Sequence, residues 1–169
     1  TFFVERYFSG GLDISDGSDE LSPWRKMPWI SAEEADMMRQ LPAIRDVSIG
    51  EATDGPVSFE GINFRDVGVS GRGASWVNVK GGDILSGRTF TPSEYAAGAH
   101  VAVVNEKLAN MLFPGRDPLG KKIRIFGQPF QVIGVHAEAS SIFSHEDNLR
   151  VVIPHTVFTK VADYERGWM

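Results

Sequence analysis

No cysteine occurs among the 169 residues, which excludes thiolate chemistry and disulfides while leaving both reducing and oxidising compartments open. Long apolar runs are missing as well. "VAVV" (101–104) and "VVI" (151–153) last only a few residues, whereas a membrane-crossing helix needs about 20. Positive charge is in short supply, with 17 Lys and Arg against 22 Asp and Glu for a net charge of −5. Extended contact with phosphate backbones draws its affinity from clustered Lys and Arg, so no nucleic acid partner is expected. The opening "TFFVERYFSGG" lacks an initiating Met and the charged, apolar, small-residue order of a signal peptide. The chain is therefore expected to be a segment of something longer.

What is present is a globular composition, 42% hydrophobic and 23% charged. A chain of about 150 residues buries roughly 68 to 70% of its unfolded surface, so a core is expected without metal or disulfide to hold it. The acidic stretch "DISDGSDELSP" carries Asp13, Asp16, Asp19 and Glu20. It lacks the alternate-ligand register, the Gly at six and the Glu at twelve of a calcium loop, and it reads as a solvated loop. "SAEEADMMRQLP" opens with a capping box, Ser31 and Glu34. Ala35, Met38 and Leu41 follow at helical spacing and Pro42 stops the run, so a short amphipathic helix is predicted with its methionines in the core.

From Val47 to Val79 the pattern changes to short β-rich pieces, "VSI", "VSF", "NFRDVGVS" and "SWVNV", punctuated by Gly55, Gly61, Gly71 and Gly73. "GRGAS" has too few glycines for a dinucleotide fingerprint and reads as a turn. "GGDILSGRTFTPSEY" reads as a loop ending in a helical turn, with Thr91 or Ser93 as cap. The clearest element is a β-run, Val101 to Val104, followed by Asn105 as N-cap. Glu106 sits in the first turn, Leu108, Met111 and Leu112 share one helical face, and Pro114 and Gly115 end the helix. Ile123 and Ile125 then alternate with Lys122 and Arg124, and Gly127-Gln128 suits a II′ hairpin turn before a strand that runs to Val135. "AEASSIFSHEDN" reads as a loop, "LRVVIP" as a strand and "HTVFTKVADY" as a helix.

"GRDPLGK" (115–121) has the glycine spacing and lysine of a phosphate loop. Such a loop needs a strand before it and a helix after it. Here a helix precedes and a strand follows, Pro118 removes an N–H donor, and Lys122 stands where Ser or Thr would hold magnesium. The segment is a connector with an Asp-Pro turn. Candidate metal ligands His136, Glu138, His145, Glu146, Asp147 and His155 fit no zinc spacing, and "HEDNL" fails the H-E-x-x-H pattern. No metal site, cofactor or catalytic residue is expected. Trp24, Trp29, Trp76 and Trp168 are read as core packing, with Trp24, Trp29, Phe2, Phe3 and Phe8 also suited to a surface near a bilayer.

The order of three motifs resembles a known family. "SGRTFTPSE", "VAVVNEKLANMLFPGRDPLGKKIRIFGQPFQVIGV" and "VVIPHTVF" look like successive motifs of the MacB-like periplasmic core domain of ABC transporter permeases of the MacB and FtsX-related type. The resemblance covers residues 31 to 160. It is carried by Gly87, Arg88 and Phe90, then by Val103, Asn105, Ala109, Phe113, Pro114, Gly115, Asp117, Pro118, Leu119, Gly120 and Lys121. Gly127, Phe130, Val132, Gly134 and Val135 follow, and Ile153 and Pro154 close the set.

The resemblance implies an α+β fold of two subdomains. A discontinuous α/β porter-like part would take residues 1–80 and 150–169, and an inserted strand-rich part with one helix would take 81–149, with crossings at Gly81-Gly82 and near Ser144. It implies an extracytoplasmic, non-catalytic domain of an ABC transporter permease on the periplasmic face of the cytoplasmic membrane. Such a domain transmits conformational change and engages substrate or a periplasmic adaptor during export. The implied partners are the permease's own transmembrane helices, a cytoplasmic ATP-binding domain or subunit, and a second permease copy in a homodimer. Two readings from other classes are a free-standing ligand-binding module and a metal-dependent hydrolase.

Overall fold

The computed structural model describes residues 32–137 and 148–162. The chain divides into two compact units, Thr1–Val47 and Ser48–Met169. In the first, α1 spans Ala32–Arg39 and buries Ala35, and the Arg39 guanidinium donates to the Val47 carbonyl at 3.3 Å. The helix ends earlier than predicted. Gln40 and Leu41 donate to the carbonyls of Met37 and Met38 in tighter i→i+3 turns, which rotates Leu41 off the apolar stripe. Leu41 is 53% and Met37 59% exposed, so neither is a core residue. Ser31 of the predicted capping box lies outside the described residues.

The second unit is a sheet with helices. β1 (Gly50–Phe59) and β2 (Ile62–Arg72) form a long hairpin. Its two-residue loop, Glu60-Gly61, has φ 44° and 88°, the double left-handed conformation of a type I′ turn. Pro56 stands opposite Arg65 and Asp66 where the register shifts between Gly55 and Val57. A proline has no N–H for the ladder, and a bulge is where a strand accommodates one. α2 (Trp76–Lys80), β3 (Asp83–Gly87) and α3 (Pro92–Ala97) follow, then β4 (Val101–Asn105) and α4 (Glu106–Leu112). β5 (Lys122–Ile125), β6 (Gln128–Ala137), β7 (Arg150–Pro154) and α5 (His155–Val161) complete it.

The strand order is β3-β6-β4-β7-β2-β1-β5, and β5 also pairs with β6, so six strands close into a ring and β3 adds to β6 outside it. β2 runs parallel to β7 and β4 parallel to β6; the other pairings are antiparallel. Strict alternation decides what faces inward. Val57, Phe59, Val67, Val69, Ala102, Val104, Ile123, Ile125, Phe130, Val132, Val151 and Ile153 fill one continuous core with Leu108 and Leu112 of α4 and Val157 and Phe158 of α5. A second cluster, Trp76, Phe90, Val101 and Val103, covers the outer side of β4 and β6 with the segment between β2 and β4. Strands from residues 50–72, 83–137 and 150–154 thus share one ring and one core.

Four local expectations are corrected. "SWVNV" is the helix α2, not a strand: Asn78 and Val79 donate to the Ser75 carbonyl, Gly81 caps the end, and burial of Trp76 outweighs the β preference of the valines. "DILSG" is the strand β3, not a loop, because it finds a partner in the far end of β6. The β5–β6 turn is Phe126-Gly127 (φ 50° and 77°), a type I′ turn one residue earlier than predicted. "VSI" lies ahead of β1 and is not a strand.

Candidate functional site

The motif residues do not converge on one pocket. They build joints between elements. The first joint is a backbone crossing where β3 leaves β6. Ile133 is the extra residue of β6 opposite β4, where the register shifts between Ala102 and Val103. Its freed carbonyl accepts from the Arg88 N–H at 2.9 Å. Gly134 sits so close beneath Arg88 that a Cβ would strike the Arg88 carbonyl oxygen, and a Cβ on Gly87 would strike the Ile133 carbonyl oxygen. Glycine at both positions follows from that approach, and Gly87 also has φ 71°.

The Arg88 side chain then turns to α3. Its guanidinium donates to both carboxylate oxygens of Glu94, at 2.7 and 2.8 Å. Glu94 also accepts from the Thr91 N–H at 2.8 Å, while the Thr91 hydroxyl accepts from the Glu94 N–H at 3.2 Å, a complete capping box. The Arg88 fork, and after it the Thr91 N–H, hold the Glu94 carboxyl down to about 2. The same pairing raises Arg88 further above its ordinary value. Phe90 is buried in the outer cluster, and the Trp76 indole N–H donates to the Thr89 hydroxyl at 2.9 Å.

Asn105 is the second joint. Its side-chain oxygen accepts from Leu108 N–H (3.0 Å), capping α4, and from Arg150 N–H (3.1 Å) at the start of β7. Its amide donates to the Asn148 carbonyl at 2.8 Å. One side chain thereby ties a helix start to a strand 45 residues away. The third joint is the connector after α4. Phe113 is buried against Phe59, ring centroids 4.5 Å apart. Arg116 pairs with Glu60 at 2.8 Å and lies over the Phe59 ring at 5.3 Å. Pro114 is exposed, and Gly115 and Gly120 take φ 67° and 77°. Asp117 accepts from Leu119 N–H at 2.9 Å, an Asx turn around Pro118. Gly120 N–H goes to the Val132 carbonyl and Lys121 N–H to the Pro118 carbonyl. A phosphate cradle needs such N–H groups free, and here they are spent inside the fold.

The remaining motif residues belong to the frame. Gly127 occupies its turn, Phe130 is fully buried with His100 stacked on it at 4.8 Å, and Pro154 precedes α5 at the end of β7. Of the metal candidates, His136 is buried, its Nε2 3.3 Å from the Gly81 carbonyl oxygen and its ring edge-on to Trp76 at 4.8 Å. His155 Nε2 lies 3.4 Å from Glu51. Among the described residues no group of three or more His, Cys, Asp or Glu is placed to hold a metal ion. Glu138, His145, Glu146 and Asp147 lie outside them, as do the calcium candidates and Trp24, Trp29 and Trp168. Sequence reasoning did not pick out Glu94, although "TPSE" carries the S/T-x-x-E signature that finds it.

Residues 2–168 match the MacB-like periplasmic core domain. The chain belongs to that family. It is 27% identical over 135 residues to the macrolide export ATP-binding/permease protein MacB of Shewanella sp. (strain W3-18-1), covering 79% of this chain and 21% of that protein. Against the ABC transporter permease YknZ of Bacillus subtilis (strain 168) it is 37% identical over 81 residues, 48% of this chain and 20% of the permease. The chain spans about a fifth of the length of these curated relatives.

Two solved structures share the fold. The periplasmic region of MacB from Actinobacillus actinomycetemcomitans superposes with a TM-score of 0.73 at 20% identity, covering 85% of this chain and 63% of that one. The extracellular domain of YknZ from Gram-positive bacteria superposes with a TM-score of 0.66 at 23% identity, covering 76% and 64%. This MacB-like domain is accordingly an α+β, extracytoplasmic domain of the ABC transporter permease type. Among the described residues no helix is long and apolar enough to cross a membrane.

Proposed function

We propose that this MacB-like domain is a mechanical transmitter in an exporter, carrying no chemistry of its own. It passes rigid-body movement between the permease's transmembrane helices, driven by a cytoplasmic ATP-binding domain or subunit, and a substrate or periplasmic adaptor outside the membrane. The permease works as a homodimer in this reading. The observation that supports it is the closed ring with one core. Residues 50–72 with 150–154 form one run of pairing and residues 83–137 another, joined at two short seams, Val57–Ser58 with Ile125–Arg124 and Val103–Val104 with Val152–Val151. The two runs share one core, which ties their movements together. Packed interiors transmit strain rather than absorb it, and a lever must be stiff.

The relatives named for macrolide export and, in Pseudomonas aeruginosa, for pyoverdine export support export as the direction of transport. The test is made in the full transporter. Asn105→Ala and Gly134→Ala, which loosen two joints, are expected to lower export while ATP hydrolysis in membranes continues. Export unchanged in both variants, with the domain's stability measurably reduced, would contradict a transmitting role.

A further inference from the structure

The outer face of β1, β2 and β7 carries a feature that the joints do not use. On this face the register places Gly50 beside Arg72, Ala52 beside Ser70, and Asp54 beside Gly68, with Gly68 beside Arg150 of β7. The floor is therefore small side chains with an arginine at each end. The Arg72 guanidinium folds back over Gly50, occupying the place a side chain there would take. The Arg150 stem crosses Gly68, its Cγ 3.6 Å from where a Cβ would stand. Glu51 belongs to the opposite face, where it meets His155 at 3.4 Å.

We propose that Arg72, supported by Arg150, binds a single carboxylate presented to this face. An arginine fork matches a carboxylate in shape and charge, and among the described residues Arg72 has no acceptor. Burial first, and then the neighbouring Arg150 charge, push the Arg72 guanidinium below its ordinary value; a bound anion offsets the repulsion between the two arginines. Asp54 limits how much negative charge the face accepts. Its Oδ1 lies 3.8 Å from the same point above Gly68 that the Arg150 stem approaches. That disfavours a doubly charged phosphate and leaves a singly charged carboxylate as the fitting ligand. The carboxylate comes either from a small organic acid or from an Asp or Glu of a polypeptide. The inference stands independently of the transport role.

The test follows the arginine side-chain N–H signals of the 169-residue chain by NMR at constant ionic strength. One arm adds propionate, the other a short peptide with one Glu among glycines; propionamide and the Gln peptide are the controls. The expected result is a saturable shift of the Arg72 signal with a millimolar Kd, absent with either control. Affinity should fall about tenfold in Arg72→Gln. Arg72→Lys, which keeps the charge and loses the fork, should fall between. Arg65→Gln, an exposed arginine elsewhere on β2, should behave as the unaltered chain. Tighter binding of the peptide assigns the ligand to a polypeptide, and equal binding assigns it to a small acid. No saturation in either arm, or a folded Arg72→Gln that binds as well as the unaltered chain, overturns the proposal.

Discussion

The ring of Phe126 occupies the space above Gly55 that a side chain at that position would fill. Phe126 reaches it from a left-handed turn position, φ 50°, and its N–H donates to the Pro56 carbonyl at 3.1 Å. Only Val57 with Ile125 and Ser58 with Arg124 pair across the β1–β5 seam. The aromatic cover and the extra hydrogen bond are what complete the closure. Left-handed backbone is unfavourable for a bulky residue, so the packing of the ring must outweigh that strain.

The Phe126–Gly55 contact predicts coupling. Phe126→Ala should lower stability by about 2 kcal/mol, less than a fully buried Phe because the residue is only half-buried. Gly55→Ala should cost about 1 to 3 kcal/mol through collision with the ring. The double variant should cost clearly less than the sum, since removing the ring makes room for the methyl. Urea unfolding of the four proteins checks this.

At Asn105 the two substitutions separate capping from strand pinning. Asn105→Ala loses the α4 cap and leaves Arg150 N–H without its acceptor, for an expected cost of about 2 kcal/mol. Asn105→Asp keeps both acceptor bonds and adds charge at a helix start, but loses the donation to Asn148. Its expected cost is under about 1 kcal/mol. The ranking, read from denaturant midpoints, is the checkable outcome.

Acid should weaken the α3 joint in a defined window. Glu94 is depressed from an ordinary 4.5 to about 2. Its contribution is complete above about 4.5 and is lost as pH falls through 2. Arg88 is 53% exposed, so solvent screening holds the pair to about 1 kcal/mol or less. Glu94→Gln should flatten the stability profile across that window and change little in slope at neutral pH. Thermal unfolding at stepped pH reads the difference.

Gly134→Ala should open the crossing of β3 and β6. The methyl meets the Arg88 backbone, not a flexible side-chain end, so an expected 1 to 3 kcal/mol is lost, about that of an overpacked site. Hydrogen exchange should show the Arg88 amide losing protection before the amides of β4 and β7.

The stretch from Val101 to Val135 was legible because its signals are local. Asn105 as cap, the Leu108 and Leu112 spacing, the Asp-Pro turn and the Ile123/Ile125 alternation each need only neighbours in sequence. α2 and β3 were not legible. Trp76 is helical because of what it buries against, and Ile84 sits in a strand because β6 offers an edge. The ring closure, the Phe126 ring over Gly55 and the placement of Arg72 and Arg150 on one sheet face join residues far apart in sequence and have no local signature. The work of the motif residues as crossings and long-range ties emerged only from geometry such as the Arg88 carbonyl lying against Gly134.

The central claim is that the strand unit moves as one stiff body. Spin labels are carried on cysteines introduced at exposed sites such as Arg65 on β2 and Met111 on α4, one in each run of pairing, with any cysteine elsewhere in the transporter replaced. The direct measurement is the distance distribution between them, by pulsed electron resonance, in the full transporter with doubly labelled protomers diluted into unlabelled ones, without nucleotide and with ATP trapped. One unchanged, narrow distribution in both states is the predicted result; a second population appearing in either state would contradict the account.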